Sequence, residues 1–377
     1  MTPLAELLAE RIRRFGPLTF ADYMRECLYH PAHGYYSKAE SQRFVDYYTS
    51  VDVHPIFARL LARQFFEMWQ SLGSPAEFAL VEGGAGVGRF AGHVLDFCEG
   101  KLADFYSVLR YVAVERSALR REQATVQAKR HTAAGHFTAA AEVPAHIDDG
   151  CFFSNELADA LPVHRVVMDG GATKEILVGF RDGRFTDVLG PLSTCAISEY
   201  FAAQGATLQE GQHAEAGLEA CDWIGEIGRR LKRGYVLTID YGHPAADLFD
   251  EHHMRGTLLA YQNHRASEDF YALPGEQDLT AHVNFTALES WGKRAGLETA
   301  GFTSQTAFLL ALGEGNEFAD LYDEGQSEAE RTKARLQLKT LIHPEGMGER
   351  FRVLIQRRGV SGAQLTGLSG SALRISS

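Results

Sequence analysis

The stretch LVEGGAGVGRF, residues 80–90, is an apolar run that ends on an acid and breaks into four glycines, and no other segment restricts this chain as much. Glycine lacks the Cβ that would block a close approach. A strand that runs through glycines into a helix therefore turns bare backbone N–H groups and a positive helix end toward a ligand. The spacing selects among ligands. Dinucleotide-binding turns follow G-x-G-x-x-G. Here Gly84, Gly86 and Gly88 give G-x-G-x-G, and Arg89 stands where the last dinucleotide glycine belongs. The Gly-Lys-Ser/Thr ending of a phosphate-cradling P-loop is missing. Glu82, just ahead of the glycines, repels a pyrophosphate and attracts an amino group. S-adenosylmethionine (SAM) carries such a group.

The segments on either side of the glycines support that ligand. FALVEGG reads as a buried strand, GRFAGHVLDFCEG as a helix, and YVAVE as a second strand ending on Glu115, 27 residues beyond Gly88. An acid at that place accepts hydrogen bonds from both ribose hydroxyls, as its counterpart does in dinucleotide folds. Further along, CFFSNE and YVLTID read as apolar strands. GLETAGFTSQ and RFRVLIQRRG are two more strand candidates, with the helix AFLLALG between them. Short apolar strands alternating with amphipathic helices indicate an α/β fold around a parallel sheet. One stretch breaks the rhythm: residues 163–190 carry turn signals at Asp169-Gly170-Gly171 and Asp182-Gly183, which predicts an inserted antiparallel meander. Residues 191–233 read as helical.

Composition removes several classes of function. The 377 residues carry a net charge of −12, and an acidic surface repels phosphate backbones, so nucleic acid is not expected as a partner. Cys27, Cys98, Cys151, Cys195 and Cys221 are scattered, with no CxxC pair, which argues against a disulfide framework or a zinc–thiolate centre. His30 and His33 have metal-ligand spacing but no companion ligands, so no metal site is expected. The opening MTPLAELLAERIRRFG reads as an amphipathic helix and not a secretory signal, and no window has the ~18 apolar residues of a membrane span. These features together lead us to expect a cytoplasmic protein.

Seven stretches taken together are similar to the MidA-like family of class I SAM-dependent methyltransferases. They are MRECLYHPAHGYY, YYTSVDVHPIF, LVEGGAGVGRF, SNELADALPVHRVV, LTIDYGH, the segment from RGTLLAYQNHR to VNFTAL, and GFTSQTAFLLALG. The family includes a mitochondrial complex I assembly factor that dimethylates a protein arginine. The resemblance implies a Rossmann-like, seven-stranded, mostly parallel sheet with an inserted antiparallel β/helical region. On this reading residues 1–54 cover the cofactor cleft, 55–163 form the first half of the SAM-binding core, and 164–233 hold the inserted meander and helices on the substrate side. Residues 234–360 complete the core, with loop 255–285 over the active site, and 361–377 form a flexible tail. The chain departs from the family at Ala85, Val87 and Asn284, the last standing in place of an acid.

The resemblance makes a protein arginine the expected acceptor, with a respiratory-complex subunit among the candidates. A guanidinium stays protonated at any physiological pH, so carboxylates must hold it, oppose its charge and orient one nitrogen. Asn155 and Glu156 follow the strand CFF, at the carboxyl edge where open α/β sheets bind ligands, and Asp159 falls one turn further. Glu156, Asp159 and His282 are the candidate catalytic residues, His282 as a proton acceptor because an ordinary imidazole titrates near neutrality. Glu276, Gln277 and Asp278 form a candidate substrate lid, with Asp240 and Tyr241 at the cleft edge. Glu82, Gly84, Gly86, Gly88, Glu115 and Asn155 are expected at the cofactor, with Thr49 and Ser50 closing over it. A homodimer is a further possibility. The alternatives are a methyltransferase acting on a small molecule or another protein residue, or a SAM-binding assembly chaperone without turnover.

Overall fold

The computed structural model describes residues 1–37, 55–262, 265–316, 318–322, 325, 327–343, 348, 350–362 and 364–370. Strands β1 (Phe78–Gly83), β2 (Leu109–Val114), β3 (Phe137–Ala140) and β4 (Ile147–Asn155) are mutually parallel. A separate antiparallel sheet comes next, built from β5 (His164–Asp169), β6 (Ala172–Arg181), β7 (Arg184–Gly190) and β8 (His213–Ala216) in the order β7-β6-β5-β8. The chain then re-enters the main sheet as β9 (Leu231–His243), parallel to β4. Three short strands, β10 (Leu259–Gln262), β11 (Arg265–Ser267) and β12 (Asp278–Thr280), make a third sheet, and β13 (Val283–Asn284) pairs with the end of β9. Last come β14 (Glu298–Ser304) and β15 (Phe351–Arg358), β15 lying antiparallel between β9 and β14. The main path β14-β15-β9-β4-β1-β2-β3 has seven strands, mostly parallel, as the resemblance implies.

Helices on both faces explain why these strands are apolar throughout instead of alternating. The N-terminal helices are α1 (Pro3–Phe15) and α2 (Phe20–Tyr29), followed by α3 (Pro55–Ser71) and α4 (Arg89–Lys101). Leu61 and Phe65 of α3 pack with Phe153 and Leu237 on one face of the sheet. On the other, Ile224, Ile227 and Leu288 from the helices Leu218–Arg230 and Phe285–Arg294 pack with Phe152 and Val236. Each such side chain, fully buried, stabilises the fold by roughly 1.5–3 kcal/mol. Thr2 and Thr19 cap α1 and α2, accepting from Ala5 N at 3.1 Å and Asp22 N at 3.0 Å. Both helices pack over the meander and the third sheet, with Phe20, Met24 and Leu28 against Val178, Ala260 and Leu279.

The structure adds strands where sequence predicts none. Residues 191–233, read as helical, contain β8, whose His213 and Glu215 alternate with the buried Ala214 and Ala216. Four residues with two alanines give too weak a period-two signal beside the helices on either side. β3 and the strands of the third sheet are equally short.

The asymmetry that matters for function is directional. Parallel β1, β2 and β4 all finish at one edge, beside Asp240 of β9, so Gly83, Glu115 and Glu156 emerge at that edge.

Candidate active site

The donor half is built on the β1 turn. Gly84, Gly86 and Gly88 have φ of 70°, 56° and 76°, which ordinary residues adopt only with strain. Gly84 N and Ala85 N donate to Val114 O at 2.9 and 3.1 Å, which pins the turn to β2. A Cβ on Gly88 would lie 2.8 Å from Ala124 Cβ, so this glycine lets α4 dock on the helix Ala118–Gln127. A Cβ on Gly86 would meet nothing within 4 Å. The turn thus presents bare backbone to open space at one residue, a cradle that any side chain would fill. Glu115 lies beside it, accepting from Gly86 N at 3.1 Å and Ser117 N at 2.8 Å. Each carboxylate oxygen keeps a second lone pair for a hydroxyl. The donor set therefore fits SAM: bare glycine backbone for the ligand chain and an acid for the ribose. Glu115→Ala is expected to weaken SAM binding by roughly 1–3 kcal/mol, measured by calorimetry.

Glu82 differs from the simple expectation of a standing negative charge. It is buried and accepts from Tyr111 Oη at 2.7 Å. Burial, with a smaller push from Glu115, raises its pKa from 4.5 to about 8 despite the Tyr111 hydrogen bond. Its surroundings thus favour the protonated carboxyl over the carboxylate. A pKa raised by folding contributes stability that is fully present below the ordinary value and is lost as pH rises through the folded one. The thermal midpoint should fall between about pH 4.5 and 8 relative to Glu82→Gln, which has no group titrating there. Parallel melting curves check this.

The acceptor half gathers acids from distant segments. Glu156, Asp159, Tyr241 and Asp278 line one narrow cavity together with Tyr36, Tyr261 and Thr280. All three carboxylate residues are buried. Glu156 has φ +51°, a left-handed conformation that a non-glycine residue adopts only when its surroundings impose it. Glu156 N donates to Ile239 O at 3.0 Å, and Asn155 Nδ2 donates to Glu156 Oε1 at 3.0 Å. Asp240 supplies the rest of the constraint. Its Oδ2 accepts from the N–H groups of Leu157, Ala158 and Asp159 at 3.2, 2.8 and 3.4 Å, and its Oδ1 from Tyr241 N at 2.9 Å. Burial first, then the Asp159 and Glu156 carboxylates, push the Asp240 pKa well above the usual range. Carboxyl groups are thus crowded around this cavity.

Several expected site residues lie elsewhere. Asp240 does not line the cavity; it turns inward to hold the Glu156 turn, because four backbone N–H groups claim its oxygens. His282 sits behind Tyr241, its ring 5.4 Å from those of Tyr241 and His243. Burial and neighbouring His243, His253 and Arg350 lower its pKa to about 4, which corrects the expectation of a near-neutral proton acceptor. Gln277 ties the lid to itself, accepting from Leu273 N at 3.0 Å and donating to Asp269 O at 3.3 Å. Glu276 is exposed. Thr49 and Ser50 lie outside the described residues. Asn284 caps the helix Phe285–Arg294, accepting from Ala287 N at 3.1 Å, a task that needs no acid. His30 Nδ1 accepts from Ala32 N and His33 N at 3.2 Å each, a turn-forming role. Sequence reasoning missed Tyr36, Tyr261 and Thr280; the paired tyrosines of HPAHGYY were the available signal for the first. Away from the cleft, Asp96, Glu99 and His131 approach within ligand reach of one another. Arg130 already bridges both carboxylates there, at 2.6 and 2.8 Å.

A seven-strand sheet with one antiparallel member next to its edge, a G-x-G-x-G turn after the first strand and an acid after the second define a class I SAM-dependent methyltransferase. The sequence over residues 60–303 matches the family described as "Putative S-adenosyl-L-methionine-dependent methyltransferase", and the chain belongs to that family. Among curated relatives, protein arginine methyltransferase NDUFAF7, mitochondrial, of Bos taurus is 30% identical over 94% of this chain and 83% of its own. The Homo sapiens protein of that name is 29% identical, covering 93% and 82%. The homolog in Drosophila melanogaster is 28% identical, covering 96% and 86%. A COG1565 superfamily member from Burkholderia thailandensis, solved bound to S-adenosyl-homocysteine, superposes with a TM-score of 0.86 at 29% identity, over 98% of this chain and 95% of that one. The relatives' names overturn the expectation of a cytoplasmic protein, since the cattle, human and fly proteins are all mitochondrial. Among the described residues no helix is long and apolar enough to cross a membrane.

Proposed function

We propose that this methyltransferase transfers methyl groups from SAM to an arginine side chain of a protein, with a respiratory-complex subunit as the acceptor. The observation that carries this reading is the cavity in which Glu156, Asp159 and Asp278 converge at the edge where the glycine turn ends. The names of the curated relatives support it. The donor and acceptor halves both come from one chain; a homodimer belongs to this proposal only as a question for the mass in solution.

When bound, SAM supplies an electrophilic methyl group on a sulfonium. Gly86 and its neighbours would hold it through backbone and Glu115 through the ribose hydroxyls, with Glu82 on the side of the amino group. The acceptor guanidinium arrives as a cation, and Glu156 and Asp159 meet its planar N–H edges. Their charge orients one nitrogen and draws positive charge away from it. As the nitrogen–carbon bond forms, the carbon–sulfur electron pair stays on sulfur and one N–H proton must leave. The carboxylates of the cavity take it in this reading. Alignment of the two partners contributes the remainder.

The test is incubation of the protein and labelled SAM with an extract of cells lacking it, followed by mass spectrometry of the labelled band. Methyl groups on arginine nitrogens are expected. Label confined to small molecules, or to another residue type, would replace this reading.

A further inference from the structure

Tyr36 stands where the N-terminal segment meets the acid cavity. Helix α2 ends at Tyr29, and the short turn Tyr35–Ser37 brings Tyr36 back so that the two rings lie 5.6 Å apart. Tyr29 Oη donates to Ala160 O at 2.9 Å, which fixes this segment to the turn carrying Glu156 and Asp159. Tyr36 Oη donates to Asp278 Oδ1 at 2.6 Å, inside the cavity wall. The same aromatic pair also borders the donor half. Arg116, the residue after Glu115, lies 5.5 Å from the Tyr29 ring centre, and Arg120 lies 6.0 Å from that of Tyr36. Asp278 itself stands on β12, which is three residues long and belongs to a small sheet apart from the main one.

We propose that Tyr36 is a positioning residue for methyl transfer, its hydroxyl holding Asp278 ionised and aimed at the acceptor while its ring walls the acceptor from the donor. A phenol that donates to a carboxylate favours the charged form and fixes which oxygen remains for a ligand. The inference rests on the acceptor being a protein arginine, with Asp278 as part of the cation's site.

Tyr36→Phe keeps the ring and removes the hydroxyl. Acceptor kcat/KM should fall by about tenfold or more, the size of a lost hydrogen bond to a charged group. Affinity for S-adenosylhomocysteine should stay within about twofold, because the donor contacts lie on the glycine turn and Glu115. Asp278 shares its cavity with Glu156, Asp159, Tyr261 and Tyr36. With the Tyr36 hydroxyl gone the Asp278 pKa should rise, moving the acid limb of the pH profile up by about one unit. Asp278→Asn should be similarly impaired, and the double variant no worse than the worse single one. Wild-type rates with an unmoved pH profile, or additive losses, would overturn the proposal. If the wild-type protein labels no arginine, the acceptor reading falls. The Asp278 titration, followed by carboxyl-carbon NMR in ligand-free protein, then decides alone: equal pKa values in wild type and Tyr36→Phe would sink the role of Tyr36.

Discussion

Glu156→Gln is expected to leave a protein that binds SAM within a few fold of wild type, melts no earlier, and transfers methyl groups at least ~10²-fold more slowly. The side chain keeps its shape, and its amide oxygen still accepts from Asn155 Nδ2. What disappears is the negative charge that the proposed function sets opposite the acceptor cation. That charge is costly in the resting protein, since Glu156 is one of the groups pushing the Asp240 pKa up. Removing it relieves the crowding, so the thermal midpoint should hold or rise while turnover collapses. Stability gained where function is lost marks a residue kept in an unfavourable setting for its chemistry. A variant that melts earlier but keeps its turnover per folded molecule would show Glu156 to be structural. Melting, SAM affinity and transfer measured on one preparation separate the outcomes.

The second large effect distinguishes two glycines that look alike in sequence. At Gly86 a Cβ would meet no protein atom, whereas at Gly88 it would press on Ala124. Both have positive φ, so alanine at either place costs roughly 1–2 kcal/mol of backbone strain. Gly88→Ala adds overpacking of about 1–3 kcal/mol between two helices, and its main result should be lost stability. Gly86→Ala should stay folded yet lose at least ~10-fold, and up to ~100-fold, in affinity for S-adenosylhomocysteine, because the methyl occupies the place where the ligand approaches backbone. Calorimetry on both variants, beside their melting curves, checks the contrast. If Gly86→Ala binds normally, the cradle lies elsewhere.

The donor half was legible because its signals are local. Glu82, the three glycines and Glu115 fall within 34 residues and depend only on strand, turn and helix succeeding one another. The acceptor half is not local. Glu156, Asp278 and Tyr36 share one cavity although sequence separates them by more than a hundred residues in each pairing. The resemblance pointed to the first two, and no spacing rule could add Tyr36. Burial misled in the other direction. His282 and Asp240 have the right chemistry for an active site, but a residue's pKa and the direction of its side chain are set by neighbours that sequence does not display. His282 became a weak base behind a tyrosine, and Asp240 became the anchor of a turn.

The role of Asp240 also orders the events of folding. Its strand, β9, reaches the main sheet only after the chain has made the whole antiparallel insertion, yet its carboxylate shapes the turn at the end of β4. A nascent chain that has emerged through β4 already owns the glycine turn and Glu115, built from neighbouring segments that pair early. It does not yet own the grip on a cation, because the groups that bend residues 156–159 into place lie more than 80 residues downstream. Pairing across so long an intervening stretch is intrinsically slow. A chain interrupted within the insertion lacks Asp240, and with it the carboxylate that gathers the N–H groups of residues 157–159.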